Sequence, residues 1–218
     1  MRILVTGGAG YIGSHTLVEI LKAGHEAHVV DNFVNASPES LKRVRQLANR
    51  GFETTEADIR DPQAMARVVR DFAPEAVIHF AGLKAVGESV SDPLAYFDVN
   101  VAGTVTLLQA LKASDCRRFV FSSSATVYGT PDYLPLDEAH PLRPESPYGR
   151  TKLQVEEMLG DLARSDPAWS IALLRYFNPV GSHESGRIGE DPADIPNNLM
   201  PYVTQVATGR RERLTVHG

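Results

Sequence analysis

Apolar runs of strand length alternate along the chain with segments whose apolar residues recur every three or four positions. The runs are rich in β-branched residues and predict strands, whereas the spaced segments predict helices. Six strands are predicted, over residues 3–6, 26–30, 52–56, 76–80, 118–122 and 170–174. Helices are predicted around residues 12–21 and 41–47, and over residues 62–71, 93–113 and 147–164. Because the strand runs are continuously apolar, we predict an α/β fold with a doubly wound parallel sheet.

Two segments lack either periodicity. Residues 129–147 are rich in proline and turn-forming residues, which predicts a loop. Residues 178–198 contain Pro179, Gly181, Gly186 and Gly189. An irregular segment of this length is often functional, so we expect it to line a pocket.

Composition narrows the class of protein. The chain has 218 residues, of which 43% are hydrophobic and 22% are charged. These values are typical of a globular protein and argue against disorder. The net charge is −5 and the basic run 210–213 is interrupted by Glu212, so we expect no nucleic acid partner.

The amino-terminal sequence and the cysteine content bear on the compartment. The first apolar run is too short for a signal peptide or a membrane span. The single cysteine, Cys116, cannot form an internal disulfide. We therefore expect a cytoplasmic protein with no membrane partner.

A glycine-rich turn follows the first predicted strand. Gly7, Gly10 and Gly13 are spaced G-x-x-G-x-x-G before an amphipathic helix. Gly7 permits a tight turn, Gly10 lets backbone amides approach a pyrophosphate, and Gly13 lets the helix pack closely on the sheet. With a strand before and a helix after it, this turn predicts a Rossmann-like dinucleotide site.

An acid stands where such a site needs one. Asp31 lies 18 residues after Gly13, at the carboxyl end of the second predicted strand. A carboxylate there can accept hydrogen bonds from a ribose and would repel a 2′-phosphate, which favours NAD over NADP. Asp31 or its neighbour Asn32 could instead cap a turn. Asp58 and Ile59 follow the third strand and could flank an adenine, although a purely structural role is equally consistent.

Tyr148 and Lys152 stand four residues apart at the start of a predicted helix, and therefore on one face. A nearby ammonium and a positively charged nicotinamide both favour the phenolate, so together they are expected to lower the pKa of the Tyr148 phenol and make it a usable base. Ser124 ends the fifth strand, where a ligand of a parallel sheet binds, and could hydrogen-bond the reacting hydroxyl.

Other chemistries find less support. No G-x-S-x-G nucleophile elbow surrounds Ser124, which disfavours a serine hydrolase. No C-x-x-C, H-E-x-x-H or calcium-loop spacing occurs, so no metal site is predicted.

Several stretches together resemble the extended short-chain dehydrogenase/reductase family and, within it, the nucleotide-sugar epimerases. They are the glycine turn, Asp31, residues 79–89, 122–129, 174–179 and 195–200, Tyr148 and Lys152. The resemblance implies contacts of NAD with Tyr11, Ile12, Asp31, Asn32, Phe33, Val34, Asn35, Ala36, Asp58, Ile59, Phe80, Ala81, Gly82, Leu83, Lys84, Asn100, Ser124, Tyr148, Lys152 and Phe177. It implies that Ser124, Tyr148, Asn178, Asn198 and Leu199 meet the sugar nucleotide.

The resemblance also implies an activity and an organisation. The activity is the NAD-dependent interconversion of UDP-galactose and UDP-glucose, in which Tyr148 takes the proton of the 4-hydroxyl and a 4-keto intermediate forms. Residues 1–176 would be the NAD-binding domain. Residues 177–218 would be the start of a smaller substrate-binding domain that continues further in family members. A homodimer would form through helices 93–113 and 147–164.

Two alternatives remain open. A dehydratase or reductase acting on sugar nucleotides would share Tyr148 and Lys152, but Ala125 and Thr126 cannot supply the ionisable group that elimination of water needs. A module that binds NAD without turnover is the alternative from a different class. The preference between galactose and N-acetylgalactosamine nucleotides is not determined by these residues.

Overall fold

The computed structural model describes residues 1–190 and 198–215. Within them, six parallel strands form one sheet in the order β3-β2-β1-β4-β5-β6. The strands are β1 (Arg2–Thr6), β2 (Glu26–Asp31), β3 (Glu53–Glu56), β4 (Ala76–His79), β5 (Arg118–Ser124) and β6 (Ser170–Tyr176). All six predicted strands and the doubly wound parallel sheet are confirmed. The strand order reverses between β1 and β4, which opens a crevice at the carboxyl ends of these two strands.

Helices connect the successive strands, and one more helix follows β6. They are α1 (Tyr11–Lys22), α2 (Pro38–Ala48), α3 (Pro62–Phe72), α4 (Val86–Ser91), α5 (Pro93–Tyr96), α6 (Gly103–Lys112), α7 (Pro147–Ser165) and α8 (Leu199–Ala207). Ser37, Asp61 and Ser146 cap α2, α3 and α7 through side-chain oxygens, and each of these caps precedes a proline. This cap-then-proline order is favoured at helix starts because proline has no amide hydrogen to leave unsatisfied.

Two apolar clusters hold the layers together. One packs α3, α6 and α7 against the sheet and includes Leu107, Phe119 and Leu159. The other packs α1 and α2 against the opposite face and includes Leu17 and Leu41. Each such side chain, when fully buried, contributes about 1.5–3 kcal/mol. This two-sided burial accounts for the apolar runs of β1 and β2, whereas β3 (Glu-Thr-Thr-Glu) is polar and β6 is largely exposed.

The helix predicted over residues 93–113 is not uniform. Between α5 and α6 the backbone widens into a π-helical segment, Phe97–Ala102. The sequence predicted one continuous helix through this segment, so the widening was not predicted. Asn100 lies in the widened part and is buried.

The stretch Pro93–Lys112 is long and apolar enough to meet a simple criterion for a membrane span. Buried helices of soluble cores meet the same criterion. Tyr96, Leu107 and Leu111 from this stretch are fully buried inside the protein.

Candidate active site

A cavity of about 1050 Å³ opens at the carboxyl ends of the strands, over the point where the strand order reverses. Its wall brings together the glycine turn, the ends of β2, β4 and β5, the first turn of α7 and the segment after β6. Most of the residues predicted to bind a ligand therefore surround one space.

The glycine turn leads into α1 as predicted. Gly7 has a φ of 70°, and its Cβ would lie 2.5 Å from the Ala81 amide nitrogen. A Cβ at Gly13 would overlap the Gly7 carbonyl oxygen. Gly10 precedes α1, whose first turn contains no acidic residue and receives no side-chain cap. Amide groups at a helix start with no side-chain acceptor are suited to an anion such as a pyrophosphate.

Asp31 holds this turn in place from the end of β2. Its carboxylate accepts hydrogen bonds from the amides of Ala9 and Phe33, both at 2.9 Å. Burial raises the pKa of Asp31, and the two backbone hydrogen bonds oppose that rise. Each carboxylate oxygen keeps acceptor capacity, and Asp31 lines the cavity, so a ribose contact is compatible with its structural role.

Asp58 and Ile59 differ in how they meet the cavity. Hydrogen bonds from the Arg60 side chain lower the pKa of Asp58 to about 2. The Asn32 side chain donates to the same carboxylate at 3.1 Å. Ile59 packs on Gly103, where a Cβ would lie 2.7 Å from the Ile59 Cδ1 atom. Asp58 is thus an ion-pair partner at the rim, and Ile59 belongs largely to the core.

Tyr148 and Lys152 share one face of α7 and are both nearly buried, at 8% and 5% exposure. The Lys152 ammonium donates to the Ser122 carbonyl oxygen at 2.9 Å. It lies 5.8 Å from the centre of the Tyr148 ring. The predicted pairing on one helix face is therefore present, with a strand carbonyl fixing the lysine.

The protein groups around Tyr148 shift its pKa in the direction opposite to the predicted one. Burial raises the pKa of Tyr148, and the neighbouring Ser124 hydroxyl only partly opposes it. Burial also lowers the pKa of Lys152 to about 8, and the charge of the Glu156 carboxylate opposes this lowering. The sequence argument considered the charge of Lys152 but not the cost of placing both groups out of water. The protein groups therefore do not lower the Tyr148 pKa, and its lowering in the presence of a bound nicotinamide stays a prediction.

Ser124 is oriented by its own turn. Its Oγ accepts hydrogen bonds from the Thr126 amide at 3.2 Å and the Thr126 hydroxyl at 2.9 Å. The Ser124 hydroxyl hydrogen is consequently directed away from Thr126 and can point to Tyr148 or a ligand. The two hydrogen bonds from Thr126 are contacts that sequence reasoning missed.

Glu156 and Arg175 form a second pair that sequence reasoning missed. The nearly buried Glu156 accepts from Arg175 Nη2 at 2.7 Å and Nε at 3.1 Å, and from the Ser123 hydroxyl. Glu156 lies one helical turn beyond Lys152, a spacing that could have drawn attention to it. The pair joins β5, β6 and α7 directly behind the candidate catalytic residues.

Three predicted contact residues do not line the cavity. Phe33 packs with the α1–α2 core cluster, and its backbone supports Asp31. Asn100 lies beneath the wall, where its side chain accepts from the Leu83 amide at 2.8 Å and donates to Thr151 at 3.1 Å. Leu199 is 63% exposed at the start of α8. Packing holds Phe33 and hydrogen bonds hold Asn100 beside the cavity, whereas Leu199 faces solvent, so contacts of these three with a ligand stay predictions.

The other predicted contact residues line the cavity. They include Phe177, Asn178 and Asn198, which follow β6 or precede α8. Asn198 donates to the Glu190 carboxylate at 2.5 Å. The Ile195, Pro196 and Asn197 positions of the predicted substrate motif lie outside the described residues. Among residues 1–190 and 198–215, no three His, Cys, Asp or Glu side chains form a group able to hold a metal.

The sequence matches the family described as the NAD dependent epimerase/dehydratase family over residues 3–218. Mouse UDP-glucose 4-epimerase is 58% identical over 224 residues, a match that covers 100% of this chain and 65% of the mouse protein. The Bacillus subtilis (strain 168) UDP-glucose 4-epimerase is 56% identical over 218 residues, covering 100% of this chain and 64% of that protein.

Solved structures of UDP-glucose 4-epimerases are also similar to this chain. UDP-glucose 4-epimerase from Bifidobacterium longum, crystallised with NAD+ and UDP, has a TM-score of 0.94 at 49% identity, over 97% of this chain and 64% of that one. The Stenotrophomonas maltophila enzyme, with bound NAD and formylated UDP-arabinopyranose, has a TM-score of 0.95 at 48% identity, over 98% and 64%.

The match is complete for this chain but partial for its relatives. The chain spans about two thirds of their length, 65% of the mouse protein and 64% of the Bacillus subtilis protein. The family match, by contrast, extends over nearly every residue of this chain. With its parallel sheet, its glycine turn and its Tyr148–Lys152 pair, this chain belongs to the NAD dependent epimerase/dehydratase family.

Proposed function

We propose that this chain is the NAD-binding and catalytic part of an enzyme that interconverts UDP-galactose and UDP-glucose. The observation that carries the proposal is the convergence of Ser124, Tyr148 and Lys152 on the same cavity as the glycine turn. The identity of 58% to a UDP-glucose 4-epimerase supports this choice of reaction.

The residues present fit NAD. Amides at the start of α1 suit the pyrophosphate, and Asp31 suits the ribose hydroxyls while repelling the extra phosphate of NADP. Phe80, Gly82 and Leu83 provide the wall between these groups and Tyr148. Bound NAD supplies the site that accepts a hydride from the sugar and returns it, so the cofactor ends unchanged.

The chain's own residues handle the proton. Tyr148 accepts the proton of the sugar 4-hydroxyl and later returns it, while Ser124 holds the reacting oxygen through a hydrogen bond. Lys152 supplies the positive charge that favours the phenolate form.

Residues 1–176 form the NAD-binding domain in this proposal, and residues 177–218 begin the substrate-binding region, in which Asn178 and Asn198 meet the nucleotide sugar.

Gly13→Ala is expected to weaken NAD binding at least about tenfold, or about 1.4 kcal/mol. The added methyl group overlaps the Gly7 carbonyl oxygen and must displace the turn that faces the pyrophosphate. Fluorescence titration with NADH measures the affinity. Gly51→Ala is the matched control, because a Cβ there has no neighbour within 4 Å. Equal affinities in the two variants would contradict the assignment of the phosphate site.

Turnover is expected to decline as the pH rises above about 8. The pKa of Lys152 is lowered to about 8 by burial, so the ammonium is present below that pH and lost above it. Loss of this charge removes the support for the Tyr148 phenolate. Initial rates from about pH 6 to pH 10, with circular dichroism to verify folding, test this. A rate that keeps rising to pH 10 would contradict it.

The direct test follows conversion of UDP-galactose to UDP-glucose and measures NAD released after denaturation. Conversion supports the proposed reaction. Bound NAD without conversion would instead support a module that binds NAD without turnover. The dehydratase alternative is weakened because Ala125 and Thr126, the two residues after Ser124, have no ionisable side chain to assist elimination of water.

We further propose that the protein acts in the cytoplasm, not on a membrane, and as a homodimer. The dimer would form through the long helical stretch α5–α6 and through α7. Family membership supports the dimer. The single cysteine, Cys116, is buried and unpaired, which suits a reducing compartment and supports the cytoplasmic location. Light scattering that returns the mass of one chain would overturn the dimer.

A further inference from the structure

The segment after β6 crosses the carboxyl edge of the sheet from β6 to β1. We call residues 178–190 the crossing segment. It leaves the sheet at β6, and its far end contacts α1 and α2, which cover β1 and β2. Because the strand order is β3-β2-β1-β4-β5-β6, the segment must pass over β5, β4 and β1 to arrive there. It therefore runs over the crevice where the cavity opens.

The first anchor lies at the glycine turn. The Tyr11 hydroxyl donates to the Gly181 carbonyl oxygen at 2.6 Å. The segment then folds back on itself, with the His183 amide donating to the Ile188 carbonyl oxygen at 3.2 Å. The Gly186 amide donates to His183 at 2.8 Å within this turn. The fold-back presents residues 187 and 188 to α2.

The second anchor is apolar. Ile188 is only 5% exposed and is a member of the core cluster that contains Leu17 and Leu41. Beside it, Arg43 of α2 donates to the Arg187 carbonyl oxygen at 2.9 Å, and the Arg187 side chain contacts Gln46. An irregular surface segment that places one isoleucine in a core cluster is fixed at that point.

The third anchor is an ion pair with Lys84, on the side of the crevice opposite α1 and α2. Lys84 lies 3.6 Å from the Glu190 carboxylate, whose side chain is only 9% exposed. Lys84 follows β4 and lines the cavity, as do Arg187, Ile188 and Glu190. The crossing segment thus contacts both sides of the crevice and forms part of the cavity wall itself.

We propose that Ile188 is a cofactor-retaining residue: by anchoring the crossing segment over the crevice, it slows the release of NAD. The inference rests on the proposed NAD site and adds to it a residue outside the phosphate turn and the catalytic group. A cofactor that ends each cycle unchanged has no need to exchange, so a wall anchored by core packing suits this chemistry. Ile188 acts through the position of the segment and has no part in proton transfer.

Ile188→Ala tests the inference against Ile20→Ala. Ile20 belongs to the same core cluster and is 7% exposed, but it lies on α1 away from the cavity. Both variants remove the same atoms from one cluster, so their losses of thermal stability are expected to be comparable. The protein is loaded with NADH, and release is followed by the loss of its fluorescence when excess NAD is added. Ile188→Ala is expected to release NADH at least tenfold faster than wild type, and Ile20→Ala within about twofold of wild type.

The outcomes separate the two proposals. Equal release rates for Ile188→Ala and wild type, in proteins that hold NADH, would overturn the retaining role and leave the NAD site standing. Faster release by both variants to the same extent would also overturn it, because general loss of stability would then explain the effect. Failure of wild type to hold NADH would overturn the NAD site together with the inference that rests on it.

Discussion

Tyr148→Phe is expected to lower the conversion of UDP-galactose by about 10²–10⁴-fold, the usual contribution of a positioned acid or base. The variant removes one oxygen atom, the only group of the tyrosine able to carry the proton. The aromatic ring, which packs edge-on against Tyr96 at 6.4 Å between centroids, remains. Folding and NAD content should therefore match wild type, so the loss should fall on the rate constant for turnover.

Tyr133→Phe is the matched control for this loss. Tyr133 is partly exposed on the loop before α7, and its hydroxyl donates to Asp137 at 2.8 Å. It does not line the cavity. Turnover of this variant should stay close to wild type. If Tyr148→Phe retained more than a tenth of the wild-type rate, another group would have to be the base.

Arg175→Met is expected to lower the free energy of unfolding by about 3–5 kcal/mol, because it leaves a buried carboxylate without its cation. Glu156 is nearly inaccessible to water, and Arg175 supplies its hydrogen bonds from both Nε and Nη2. Arg175 also lies over the Tyr128 ring, 5.1 Å from its centre. Urea denaturation followed by circular dichroism measures the change.

Two further variants test whether the unpaired charge of Glu156 causes the loss of stability in Arg175→Met. The double variant Glu156→Gln with Arg175→Met removes both charges and keeps an acceptor for the Ser123 hydroxyl, so it should recover more than half of the loss. Arg164→Met is the surface control, because its partner Asp161 is as exposed as Arg164 itself. Such exposed pairs contribute about 0–1 kcal/mol. A loss that persists in full in the double variant would show that packing of the arginine stem, and not the unpaired charge, is responsible.

Element order and the phosphate turn are determined locally, and the sequence predicted them. The apolar runs predict β1, β2, β4 and β5 because strands covered by helices on both faces bury apolar side chains at successive positions, whereas β3 is polar and β6 is largely exposed. The glycines at 7, 10 and 13 and the acid at 31 act through backbone shape and position at a strand end. Tyr148 and Lys152 meet because the helical period alone places residues four apart on one face.

The placement of individual side chains depended on contacts between distant parts of the chain. Asn100 hydrogen-bonds Leu83 and Thr151 from a widened segment of what the sequence predicted as one continuous helix. The raised pKa of Tyr148 reflects burial, which a spacing does not report. No local pattern pairs Glu156 with Arg175, which stand 19 residues apart.

The segment after β6 depends both on its local sequence and on contacts with distant parts of the chain. Its glycines and proline predicted an irregular segment at a pocket, and this is where residues 178–190 lie. Ile188 reaches the core cluster of α1 and α2 only because the sheet order sends the chain from β6 back across the crevice. Local periods and turn chemistry are written in neighbouring residues. Burial, ion pairing and the closing of the cavity arise from contacts across the sheet, and these exist only once the chain has folded.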